Sequence, residues 1–168
     1  MRSKRLLALL AAAGLTLAMS LVAGAATTTA TFEVKVTIQS ECTLSATTLD
    51  FGSLSGLDPV AANRDAQSTL TVTCTPQTAY QLGMDQGNVS GSTVETRLMS
   101  SGTATLQFQL YEDSNRTDLW GNTPGSNTFG GTGTGSAQTL TVYGRIPSGQ
   151  GQPQAGIYKS VVTAAIYY

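Results

Sequence analysis

The stretch Leu70-Thr71-Val72-Thr73-Cys74 alternates apolar and polar residues without interruption. Successive side chains of a β-strand point to opposite faces, so this period of two places Leu70, Val72 and Cys74 on one face. Similar alternation recurs in four other runs. Their apolar members are Tyr80, Leu82 and Met84; Leu106, Phe108 and Leu110; Leu140 and Val142; and Tyr158, Val162, Ala164, Ile166 and Tyr168. The sequence therefore predicts an all-β protein whose strands each bury one face.

Turn-rich stretches separate these runs, at residues 52–63, 87–92, 122–136 and 147–156. The stretch 122–136 is expected to be a long, mobile loop. No sustained helical stripe, internal repeat or dividing linker is apparent in the part that follows the apolar N-terminus. Several short strands in a chain of this length favour one antiparallel sandwich of immunoglobulin-like architecture.

The first residues have the pattern of a secretory signal. Arg2, Lys4 and Arg5 precede an apolar run from Leu6, and Ala23-Gly24-Ala25 fits a signal peptidase site. We expect a signal peptide over residues 1–25 and export through the periplasm. An uncleaved membrane anchor is the alternative, because the apolar run is nearly long enough to span a bilayer.

The exported part is acidic and poor in charged residues. Without Arg2, Lys4 and Arg5, six of the nine basic residues remain against ten acidic ones, a net charge of −4. No basic patch is present, so no nucleic-acid partner is expected.

Cys42 and Cys74 are the two cysteines of the chain. In an oxidising compartment they have only one pairing, so we expect a Cys42–Cys74 disulfide. A metal site is the weaker interpretation, because the chain has no histidine and only two thiols.

Residues 30–38 show the longest strict alternation, with Ala30, Phe32, Val34, Val36 and Ile38 as the apolar members. One interpretation is the first strand of the domain itself. The other is a strand donated to a neighbouring subunit, where it completes an open sheet edge.

An ordered set of short motifs resembles the spore coat protein U domain family, which includes pilin subunits of archaic (Csu-type) chaperone–usher pili. The motifs are Leu49-Asp50-Phe51-Gly52, Val72-Thr73-Cys74, Tyr80-Gln81-Leu82, Arg97-Leu98-Met99, Trp120-Gly121, Tyr143-Gly144-Arg145-Ile146-Pro147 and Gly156-Ile157-Tyr158. The resemblance covers essentially the whole exported chain. Family members often carry an acidic residue two positions after the tyrosine of the last strand, where this chain has Ser160.

The resemblance implies an incomplete immunoglobulin-like antiparallel β-sandwich that is completed by a donated strand. Residues 26–40 would be the donor-strand segment, and residues 41–168 the pilin domain. A periplasmic chaperone and then an outer-membrane usher would assemble identical or related subunits, as a homopolymer, into an extracellular fimbrium that supports adhesion or biofilm formation.

Two other roles remain open for the same fold. One is a secreted spore-coat or cell-surface protein that forms no fibre. The other is a tip adhesin that contacts a surface through exposed aromatic residues, for which Trp120, Phe129 and Tyr143 are candidates, although such residues are more often core.

Enzyme chemistry is not expected, and neither is a cofactor. A Ser-His-Asp triad requires a histidine, which the chain lacks. Asp50-Phe51-Gly52 stands without the other kinase motifs, and residues 131–135 are glycine-rich without a phosphate-loop lysine. Glu112 and Asp113 are adjacent, so on a strand they would point to opposite faces and form no glycosidase pair.

Overall fold

The structure is a computed structural model that describes residues 24–56 and 60–168. The chain divides into two compact units, Met1–Thr37 and Ile38–Tyr168. Residues 1–23, most of the predicted signal peptide, lie outside the described residues. Within the described part, no helix has the length and apolar character needed to cross a membrane.

The unit from Ile38 onward is built from eight strands in the described residues. They are β1 (Cys42–Ala46), β2 (Arg64–Cys74), β3 (Ala79–Met84), β4 (Arg97–Ser101), β5 (Ala104–Tyr111), β6 (Phe129–Thr132), β7 (Gln138–Ile146) and β8 (Ala164–Tyr167). A five-stranded sheet has the order β1-β2-β7-β5-β4, and a three-stranded sheet has the order β6-β3-β8. All pairs are antiparallel, which confirms the predicted sandwich.

The alternating residues form the core, as the period of two predicts. Leu70, Val72 and Cys74 of β2 are buried, and so are Leu82 and Met84 of β3 in the other sheet. The core therefore lies between the two sheets, and β2 contributes every second side chain from Ser68 to Cys74.

The predicted loop at residues 122–136 is partly wrong, because β6 lies inside it and pairs with β3. Polar contacts hold the part before β6 in place. Gln81 Oε1 accepts hydrogen bonds from Gly125 N–H at 2.5 Å and Thr128 Oγ1–H at 2.7 Å. Asn127 Oδ1 accepts one from Thr123 N–H at 2.8 Å.

The final alternating run does not form one continuous strand. Lys159 makes an isolated bridge with Ser100 of β4, at the edge of the larger sheet. Residues Ala164–Tyr167 then form β8, at the edge of the smaller sheet. The chain thus crosses from one sheet to the other.

Candidate strand-acceptor groove

An open apolar groove of about 900 Å³ lies between the two sheets of the unit that begins at Ile38. Core side chains form its floor, among them Leu70, Met84 and Val142. Two chain segments flank it, residues 46–54 (the first wall) and residues 153–164 (the second wall). Since each wall contributes a long stretch of chain, the groove is elongated, with a shape that an extended chain segment could fill.

The first wall continues β1 beyond the end of its pairing with β2. Thr47 N–H donates to Thr69 O at 2.9 Å, which is the last backbone bond of this pair. The backbone groups of Thr48 and Leu49 then have no hydrogen-bond partner among the described residues. The wall therefore presents an unpaired backbone edge.

Side chains of the first wall anchor it to the core. The Phe51 ring meets the Phe108 ring edge-on, with centroids 6.5 Å apart. Leu49 packs so closely on β7 that a Cβ at Gly144 would lie 2.8 Å from one of its methyl groups. Any larger residue at position 144 would require the side chains of Leu49 and Phe51 to shift.

Alternate residues of the second wall are bonded to the rest of the domain. Lys159 N–H and O exchange hydrogen bonds with Ser100 O and N–H, at 3.0 and 2.9 Å. Further along, Thr163 O accepts from Asp85 N–H at 3.0 Å, and Thr163 N–H donates to Asp85 Oδ1 at 2.9 Å.

The residues between these anchors have unpaired backbone groups. Neither Ser160 nor Val162 has a backbone hydrogen bond within the described part of the chain. Because backbone groups of successive residues in an extended chain point in opposite directions, these groups lie on the edge opposite the anchored one. Ser160 Oγ is also buried without a partner, at the position where family members often carry an acid.

The predicted donor residues lie in a segment that forms no regular secondary structure, residues 24–41. Their side chains are exposed, with fractions of 86% for Phe32, 84% for Val34, 80% for Val36 and 76% for Ile38. Ala30 is exposed as well. An isolated soluble chain rarely leaves four large apolar side chains in one short segment this exposed.

The predicted disulfide is present between Cys42 and Cys74, with an S–S distance of 2.06 Å. The two residues face each other in the β1–β2 register. Next to them, Glu41 and Thr75 are joined by a hydrogen bond from Thr75 N–H to Glu41 O at 2.9 Å. The first residue of β1 is therefore fixed only four positions after Ile38.

Comparison with known proteins places the chain. Residues 28–165 match the family described as the Spore Coat Protein U domain. This chain belongs to that family. Protein U of Myxococcus xanthus is 34% identical over 178 residues, which cover 94% of this chain and 97% of that protein.

The fold of this Spore Coat Protein U domain is similar to that of a chain in a solved pilus pre-assembly complex. A chain of the CsuC–CsuE chaperone–tip adhesion subunit pre-assembly complex of Acinetobacter baumannii aligns with a TM-score of 0.57 and 20% identity. The alignment covers 79% of this chain but only 40% of the matched chain. The P pilus rod subunit PapA aligns with a TM-score of 0.47 and 15% identity, over 76% of this chain and 98% of PapA.

Arg97 bonds the backbone of the groove residue Met84, a contact that the sequence did not indicate. It is fully buried, and its guanidinium donates to Met84 O at 2.8 Å, Trp120 O at 2.6 Å and Asp85 O at 2.8 Å. Burial lowers the pKa of Arg97 to about 10, so it remains protonated at neutral pH. Asp85 in turn holds Thr163, which connects Arg97 to the second wall.

Glu112 and Asp113 follow β5 in a turn, so the strand geometry that was expected for them does not apply. The Asp113 carboxylate accepts hydrogen bonds from Thr117 and Asp118 N–H, both at 2.8 Å, and these lower its pKa. Burial raises the pKa of Glu112. The arrangement is that of a hydrogen-bonded turn.

The aromatic residues considered for surface contact have other roles. Trp120 is 1% exposed, donates from its indole N–H to Leu82 O at 2.8 Å, and lies beside Phe129 with ring centroids 5.9 Å apart. It is therefore a core residue, and its assignment to surface contact is wrong. Tyr143 is half-buried beneath the guanidinium of Arg116.

A search of residues 24–56 and 60–168 for three or more His, Cys, Asp or Glu side chains that could hold a metal ion finds no such group.

Proposed function

We propose that this protein is a structural subunit of an extracellular pilus, and that residues 30–38 of one copy complete the groove of another. One observation carries the proposal. The same chain has an apolar groove between two unpaired backbone edges and an exposed segment with the alternation of a strand. The segment has the backbone groups and apolar side chains that would complete the groove, and the groove would bury the side chains that the segment exposes.

The physical reason is the cost of an open edge. Unpaired N–H and C=O groups beside exposed apolar surface favour the addition of a strand. A donor in the groove would place Phe32, Val34, Val36 and Ile38 on the core, while its backbone bonds to both walls. Burial of these four side chains contributes about 6–12 kcal/mol before ordering costs, at about 1.5–3 kcal/mol each.

The proposed domain organisation follows from this role. Residues 1–25 are a signal peptide, residues 26–40 the donor segment and residues 41–168 the acceptor domain. A periplasmic chaperone would first fill the groove, and an outer-membrane usher would then exchange it for the donor segment of the next subunit. The fold shared with a chain of a chaperone–subunit pre-assembly complex supports the chaperone step. The resulting homopolymer would lie at the cell surface and support adhesion or biofilm formation.

A coat protein that forms no fibre is the second candidate. The family description, Spore Coat Protein U domain, and the match to Protein U over nearly the full length of both chains favour it. Here residues 30–38 would occupy the groove of their own chain. The protein would then be a stable monomer, with no partner, cofactor or catalytic site.

A peptide experiment separates the two candidates. A synthetic peptide of residues 27–40 is added to the purified mature protein, and unfolding is followed by circular dichroism. If the groove is open, the peptide binds it and raises the midpoint of unfolding as its concentration increases, since a ligand of the native state stabilises it. A control peptide with Phe32→Asp and Val36→Asp should have no effect. A monomer that ignores the first peptide would contradict the pilus proposal.

A further inference from the structure

The mouth of the groove carries one charged residue on each wall. Asp50 lies on the first wall between the inward residues Leu49 and Phe51, and Lys159 lies on the second wall between Tyr158 and Ser160. Both charged side chains are exposed. Lys159 forms no ion pair within the described residues, and the Asp50 carboxylate accepts one hydrogen bond, from Gly52 N–H at 2.8 Å.

The two walls run in opposite directions along the groove. At one end, the Gly56 backbone approaches Pro153, because a Cβ on Gly56 would lie 3.6 Å from Pro153 O. At the other end, β1 contacts β8. Asp50 is the central residue of the first wall, and Lys159 is near the centre of the second. The two charges therefore flank the groove at about its midpoint.

The donor segment has a matching pattern. Val34 is the central residue of residues 30–38, and its neighbours Glu33 and Lys35 carry opposite charges. When Val34 faces the core, both neighbours point out of the groove, because the period is two. A donor centred in the groove thus brings Glu33 and Lys35 to the midpoint of the groove. At that level the walls carry Lys159 and Asp50.

We propose that Glu33 of one copy pairs with Lys159 of the next, and that Lys35 pairs with Asp50. This proposal rests on the proposed function. In it, the two ion pairs fix the register of the donor strand and favour a donor from another copy of the same chain. A shift by one residue would turn the apolar set outward. A shift by two residues would bring like charges together, which is unfavourable across adjacent strands.

A charge exchange tests the pairing. The donor peptide of residues 27–40 is prepared as wild type and with Glu33→Lys and Lys35→Glu. The mature protein is prepared as wild type and with Asp50→Lys and Lys159→Glu. Matched pairs, wild type with wild type and exchanged with exchanged, should bind with equal affinity. Mismatched pairs should bind about tenfold more weakly at low ionic strength, and the difference should shrink in 1 M salt.

A control variant, Asp118→Lys, reverses an exposed charge outside the groove lining and should bind both peptides as the wild-type protein does. Equal affinities for matched and mismatched pairs would overturn the charge pairing while leaving the donor-strand function intact. So would a failure of the exchanged pair to recover. If the wild-type peptide binds neither protein, the proposed function and this inference both fail.

Discussion

Lys159 and Ser100 exchange two backbone hydrogen bonds, at 3.0 and 2.9 Å, and so attach the second wall to the edge of the larger sheet. This attachment turns the backbone groups of Ser160 and Val162 to the opposite edge. The second wall is thus hydrogen-bonded to the domain along one of its edges.

The disulfide should be a major source of stability. Cys42→Ser should lower the free energy of unfolding by about 3–4 kcal/mol, because the bond closes a loop with a sequence separation of 32 residues. Urea denaturation of the mature protein measures the change. Reduction of the wild-type protein should produce a similar shift. A difference below about 1 kcal/mol would show that the bond is dispensable for the fold.

Arg97 should be the most sensitive position among the charged residues. Arg97→Met removes the donors of four backbone carbonyls and leaves these acceptors buried or part-buried, so we expect a loss of about 3–5 kcal/mol. Arg97→Lys should recover only part of this loss, since an ammonium group lacks the planar fork of guanidinium. Arg64→Met is the matched control, because Arg64 is exposed and bonds one carbonyl, Ser53 O. Equal losses at positions 64 and 97 would contradict the role assigned to Arg97.

Stability should depend on Asp65 in acid. Hydrogen bonding to Arg145, with bonds of 2.7 and 2.9 Å, holds the pKa of Asp65 below its ordinary value. The unfolded chain therefore binds this proton more tightly, so the contribution of Asp65 is complete above about pH 4 and is lost as the pH falls through the lower, folded-state pKa. Asp65→Asn should flatten this part of the stability–pH curve in thermal melts. An unchanged slope would contradict the assignment.

Neighbouring substitutions in the donor segment should have opposite outcomes. Phe32→Asp would place a charge in the apolar groove, at a cost of several kcal/mol, and should abolish assembly. The domain should stay folded with its disulfide, because Phe32 is 86% exposed in the chain itself. Glu33→Gln should change assembly by no more than about threefold, since a single exposed ion pair contributes little.

Sedimentation of the two variants, with circular dichroism of each, checks this contrast. If Phe32→Asp unfolds the isolated domain, residues 30–38 belong to the core of their own chain. If it assembles like the wild type, they are not a donor.

The alternation of apolar residues predicted most of the fold, because Leu70 to Cys74, Tyr80 to Met84 and Leu106 to Leu110 all bury the expected face. The alternation did not predict the structure where the outcome depends on which sheet edge a strand pairs with. The run from Tyr158 to Tyr168 reads as one strand, yet its halves pair with different sheets, at Ser100 and at Gly83. A period of two specifies a face but not a neighbour.

The alternation of residues 30–38 and the disulfide could be predicted from the sequence, but the groove could be predicted only in part. Leu49 and Phe51 alternate visibly, whereas the open backbone edge beside them depends on the end of the β1–β2 pairing after Thr47. Arg97 was missed as a buried charge because its partners are carbonyl oxygens, which leave no trace in side-chain patterns. The only sequence feature that singled out Arg97 was its place in the Arg97-Leu98-Met99 motif of the family resemblance.

The most direct test of the central claim asks whether residues 30–38 enter the groove of another copy. Mature protein with a photo-crosslinking amino acid at position 34 is prepared in normal and heavy-isotope forms, mixed in equal amounts, allowed to assemble and irradiated. Donor-strand exchange predicts cross-linked peptides that join position 34 to the first or second wall. Mixed-isotope pairs should then be as abundant as the normal–normal and heavy–heavy pairs taken together. Cross-links that join only peptides of the same isotope would mean that the segment stays in its own chain, and would contradict the account.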